Sequence, residues 1–241
     1  GELGQVLHAH NMRAEAVAAY VRASELNPAD FRWFYLAANA TPDGDDDAVL
    51  ARYARAIMLE PGDYALCITY AERLTRAGYL DQAEQVYQQA QGIAADRGYA
   101  KLGLARIAFV RGDLALAHRL LRCARALLYR NAEIHHLLAQ VLRSTGDQQG
   151  AAEARATARS LNRLSPASDV LDEMRSFAVS VDGLRARGAL LLARGHLPAA
   201  RQLYEALLAR QSAGGHVAAL TFGDVARVAF AQKRYRDAQA M

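Results

Sequence analysis

Small side chains recur along the chain at a nearly constant spacing. Gly4, Ala37, Ala71, Ala105 and Ala139 are separated by 33, 34, 34 and 34 residues. Two further series hold the same register: Ala16, Val49, Ala83, Ala117 and Ala151, then Ala23, Ala56, Ala90, Ala124 and Ala158. Turn-forming residues keep step at Asn11, Gly44, Gly78, Gly112 and Gly146. Four series in one register restrict the chain to a stack of one repeated unit. A fixed long period marks units that bury their apolar face only against their neighbours.

Each period holds two helical stretches divided by a Gly or Asn, residues that tolerate the left-handed conformation in which helices end. Ala at fixed sites lets helix axes approach closely, and Tyr20, Tyr53, Tyr87 and Leu121 supply the bulk beside them. Pro28 and Pro61 close the first two periods, where a helix must stop. The hydrophobic content of 52% is rich in Ala and Leu, which favours helix over sheet.

These residues carry a resemblance. Trp33-x-x-Leu36-Ala37 followed by Val49, Tyr53, Ala56 and Pro61 resembles the tetratricopeptide-repeat pattern, as does Leu3-Gly4 followed by Ala16, Tyr20, Ala23 and Pro28. The resemblance covers nearly the whole chain. It implies an all-α fold: a right-handed α-solenoid of antiparallel helix hairpins, of the bacterial type of array. Arg155 and Arg163 depart from the pattern, standing where an aromatic residue and a proline are usual.

The register divides the chain. Residues 1–164 read as five hairpins, the first truncated. After 164 the period slips, since Gly188 follows Ala139 by 49 residues. Residues 165–180 read as an inserted segment with an amphipathic helix opened by a Ser168 cap and early acids. Residues 181–241 read as one full hairpin (Leu184, Leu191, Gly195, Ala200, Tyr204) and one partial hairpin (Val225, Ala226, Ala229, Ala238) after a loop with Ser212-Ala213-Gly214-Gly215. Neither end reads as a polar cap, so the sequence is expected to be a segment of a longer protein.

Chemistry-bearing motifs are scarce. No P-loop, GxGxxG after a strand, GxSxG or HExxH occurs. Cys67 and Cys123 sit in helical patterns without metal-ligand spacing and are expected to be buried free thiols. The run Asp43-Gly44-Asp45-Asp46-Asp47 lacks the spacing and closing Glu of a calcium loop; it fits a turn and the start of a helix. Of the adjacent histidines, His135 fits a packing position and His136 the opposite, open face. No cofactor or metal is expected. No run of about 18 apolar residues predicts a membrane span, and no leader is visible. A soluble chain is expected, cytoplasmic in preference to periplasmic.

Charge is uneven. Residues 1–96 hold 7 Arg and 14 acids, while residues 97–241 hold 22 of the Lys and Arg and 11 acids. The Arg residues of the second half are spread over many helix faces, which argues against a phosphate track and a specific nucleic-acid partner.

In arrays of the family this chain resembles, the first helix of each hairpin lines a concave groove. Carried over, the lining residues are Phe34, Ala38 and Thr41 in the second copy, preceded by Phe31, then Ile68, Glu72, Thr75 and Arg76 in the third copy, and Leu102, Arg106, Phe109 and Val110 in the fourth, with Tyr99 one turn earlier. His136, Gln140, Arg143 and Ser144 follow in the fifth, and Arg185 and Leu192 beyond the insertion. The competing reading packs Tyr99 and Phe109 between repeats. Arg forks suit carboxylates and aromatic faces suit apolar groups or Arg, so the expected partner is a protein or peptide, an acidic one fitting best. The resemblance disfavours the Lys/Asn carboxylate clamp of its chaperone-binding members, because no Asn matches and only Lys101 and Lys233 are lysines. The expected function is a non-catalytic scaffold. The alternative is the helical arm of a larger enzyme, such as a glycosyl- or sulfotransferase.

Overall fold

The computed structural model describes residues 1–42, 46–176, 181–209 and 224–232. Every named element is an α-helix: α1 (Glu2–Ala9), α2 (Arg13–Leu26), α3 (Phe31–Ala40), α4 (Asp46–Leu59), α5 (Tyr64–Arg76), α6 (Leu80–Ile93), α7 (Tyr99–Val110), α8 (Leu114–Leu128), α9 (Ala132–Ser144), α10 (Gln148–Arg159), α11 (Asp169–Ser176), α12 (Val181–Ala193) and α13 (Leu197–Ala209). Residues 224–232 are also helical. Gly44, Asp43 and Asp45 of the acidic run, positions 177–180 of the insertion, the loop at 212–215 and Ala238 lie outside the described residues.

Two compact units form, Gly1–Gly4 with Arg13–Asp172, and Gln5–Met12 with the described residues from Glu173 on. In the first unit α3 pairs with α4, α5 with α6, α7 with α8 and α9 with α10, and each second helix also packs on the next first helix. The result is an all-α solenoid of antiparallel hairpins. In the second unit α12 pairs with α13.

The period is the packing code. Ala71, Ala105, Ala83, Ala117, Ala56, Ala90 and Ala124 are wholly buried, as are Tyr20, Tyr53, Tyr87 and Leu121. A Cβ on Gly103 would fall 2.1 Å from the Tyr87 ring, and one on Gly188 2.5 Å from the Tyr204 ring. Those rings therefore require a glycine opposite. Asn11 (φ 63) and Gly78, Gly112, Gly146 and Gly195 (φ 80 to 89) carry the left-handed turns. There a 6→1 bond closes each helix, as in Tyr79 N–H to Leu74 O, Asp113 N–H to Ala108 O and Asp147 N–H to Leu142 O, each 2.9 Å. Side-chain caps start the helices α5, α8 and α10: Asp63 accepts from Leu66 N–H, Asp113 from Leu116 N–H and Asp147 from Gly150 N–H.

The period fails at a definite residue. One repeat beyond Ala139 the register reaches Glu173, a carboxylate where the stack needs a small side chain. Nine residues separate α10 from α11, against three to five between earlier hairpins. Gln5 Nε2 donates to Glu173 Oε1 (3.5 Å) in the second unit.

One expectation is corrected. Cys67 is buried, but Cys123 is exposed. Cys123 falls between Leu121 and Ala124, the residues of α8 that turn into the core, so it faces out. Burial pushes the Cys67 thiol up to about 11, with Asp63 adding to the shift.

Candidate functional site

The first helices α5, α7 and α9 lie side by side in the first unit. Their stripes separate by depth. Ile68 and Leu102 are buried (1% and 3% exposed), packed within the hairpin stack and closed to any ligand. Phe109 is half-buried against the core that α7 to α9 share, and Tyr99 against the core of α5 to α7.

Four charged residues form a row across these helices. Glu72 on α5 is followed by Arg106 on α7, Glu133 in the first turn of α9 and Arg163 beyond α10. Arg106 Nη2 pairs with Glu133 Oε1, and Arg163 Nε lies 3.1 Å from Glu133 Oε2. Burial pushes the Glu72 carboxyl above its usual range; Arg106 opposes the shift, Glu133 adds to it, and Arg163 and Arg76 oppose it. Arg106 is thus engaged within the chain, its side chain 24% exposed. Arg76 is exposed at the end of α5.

His136, Gln140 and Arg143 gather elsewhere. With Ala139 of α9 and Arg155 and Arg159 of α10 they line an open cleft of about 360 Å³. All but Ala139 are exposed. Arg143, Arg155 and Arg159 make no ion pair among the described residues. His136 and Gln140 occupy, one and two repeats on, the positions of Leu102 and Ile68, and of Arg106 and Glu72. Leu102 and Ile68 are buried, whereas His136 and Gln140 are exposed. The neighbouring His135 is 7% exposed and its Nε2–H donates to Tyr129 O (2.8 Å).

Arg185 belongs to the second unit. Its Nε and Nη2 both lie 2.8 Å from Asp224 Oδ2; the Asp224 side chain is 8% exposed, so the pair ties α12 to residues 224–232.

The sequence reading passed over Glu133, Arg155, Arg159 and Arg163. Arg155 and Arg163 left a trace as departures from the repeat pattern, a charge standing where a packing aromatic and a helix-ending proline are usual. Among the described residues no group of three His, Cys, Asp or Glu could hold a metal, and no helix is long and apolar enough to cross a membrane.

The hairpin stack, its left-handed turns and its small-residue seams define a tetratricopeptide-type repeat array. The sequence matches no protein-family model, and no curated protein matches it. Solved structures share the fold. A tetratricopeptide repeat protein from Parabacteroides merdae is 13% identical, with 94% of this chain and 81% of that one covered and a TM-score of 0.59. PilW, a widely conserved type IV pilus biogenesis factor, is 15% identical over 91% of this chain and 95% of its own, TM-score 0.59. A thermophilic tetratricopeptide repeat protein of Thermus thermophilus is 22% identical over 74% of this chain and 96% of its own, TM-score 0.54. At these identities the likeness is one of fold.

Proposed function

We propose that the chain is a non-catalytic scaffold that holds a partner protein, and that carboxylates of the partner dock in the cleft between α9 and α10. A repeat array of this fold suits a protein-interaction role, since its stacked first helices present a long continuous surface. The observation that carries the reading is the convergence of Arg143, Arg155 and Arg159 on one open cleft beside His136 and Gln140. Guanidinium forks pair with carboxylates in two-point geometry. At this exposure each pair contributes about 1 kcal/mol or less. Three of them give a reversible, salt-sensitive contact, with affinity on the order of micromolar once apolar contacts add to them.

Arg143→Glu/Arg155→Glu tests the reading. Affinity capture with the wild-type chain is expected to recover a partner that the doubly reversed chain loses. Unchanged recovery, with both chains folded by circular dichroism, would remove the cleft from the account.

A further inference from the structure

The segment after α10 turns back over the first helices of the preceding hairpins. Ala132 N–H donates to Asn162 O (2.9 Å) and Asn131 Nδ2 to Leu164 O (3.0 Å). Arg163 meets Glu133 at 3.1 Å, and its charge bears on Glu72, two hairpins back along the stack. The Tyr99 hydroxyl donates to Ser165 O (3.0 Å). Pro166 and Ser168 are buried while Ser165 and Ala167 are exposed, the alternation of an extended strand.

These contacts have the form of a bound peptide. Side-chain donors take two of its carbonyls, a guanidinium meets the Glu133 carboxylate, and a proline is buried. The link between α6 and α7 meets the hairpin it leaves, Arg97 O accepting from the Tyr64 hydroxyl (2.6 Å), whereas the segment after α10 reaches one hairpin further, to Tyr99 of α7. We propose that residues 162–168 are an internal ligand of the face formed by α7 and α9. That face takes in trans an extended protein segment bearing a guanidinium, which must displace the internal one. The inference rests on the reading of the chain as a protein-binding scaffold and adds a second binding face, one that the chain itself holds in check. A tethered segment competes at an effective concentration on the order of millimolar. A free peptide with the same contacts is therefore held off until the tethered copy is released.

The probe is a fluorescent peptide with the sequence of residues 160–169, titrated by anisotropy into the full chain. Arg163→Ala/Pro166→Gly is expected to bind it at least about tenfold more tightly than the wild type, because the competitor is gone. Adding Glu133→Gln is expected to abolish that gain. Arg163→Ala alone, at a side chain 59% exposed, makes the same comparison should the proline substitution impair folding. Equal affinity for wild-type and released chains, or binding to neither, overturns the internal ligand. If partner capture still depends on Arg143 and Arg155 in that event, the scaffold reading stands. Peptide binding as expected without charge-dependent capture leaves the internal ligand and discards the cleft.

Discussion

Glu72 holds two demands in one side chain. Its position on α5 puts the carboxyl under the charged row, where burial favours the neutral form more than Arg106, Arg163 and Arg76 favour the ion. An acid whose folded pKa is raised binds more protons folded than unfolded. Its contribution to stability is therefore complete below the usual carboxyl range, near 4.5, and declines as pH rises through the raised value. Glu72→Gln removes the decline. The variant is expected to melt with the wild type near pH 4 and above it at pH 7, each 1 kcal/mol moving the midpoint by roughly 2–4 °C in a chain of this size. Melting curves at the two pH values check this, and a variant that melts lower at pH 7 contradicts the assigned balance. Nothing in the sequence around Glu72 announced this burial. The charges that bear on it, Arg106, Glu133 and Arg163, come from three other segments.

Elements of this chain are set by close approach, and two glycines separate that effect from helix propensity. Gly103 in α7 faces the Tyr87 ring with no room for a Cβ, while Gly92 in α6 has nothing within 4 Å. Gly103→Ala is expected to lower stability by about 1–3 kcal/mol through overpacking. Gly92→Ala is expected to raise it by roughly 0.5–1 kcal/mol, since Ala gives up less backbone entropy in a helix. Urea midpoints of the two variants should move in opposite directions. Hairpins, turns and seams were legible because each repeats in the sequence at the spacing that packing demands. The depth of the stripes was not. Ile68 and Leu102 looked like groove residues, and only the stacking of the next hairpin buries them. Cys123 looked like a core thiol because a helical pattern does not say which flank of a small-residue seam turns outward.

The whole molecule follows from where the repeat stops. The seams carry the stack as far as Ala139 and Ala158, and Glu173 cannot occupy the next small-residue site. Arg143, Arg155 and Arg159 lie exposed on α9 and α10. The chain beyond returns past the starts of α9 and α7, with Arg163 on Glu133 and Ser165 on Tyr99. The interruption itself was readable in the register, as a jump from 34 to 49 residues. Its path was not, since no periodicity guides a segment that leaves the stack. The central claim is that the partner docks where the stack ends. Site-directed photo-crosslinking tests it most directly, with a photoreactive phenylalanine analogue placed at Gln140 in the cleft or at the exposed Cys123 on α8. The account predicts partner adducts from position 140 that fade at high salt, and none from position 123. Adducts from position 123 and not from 140, or equally from both, would contradict it.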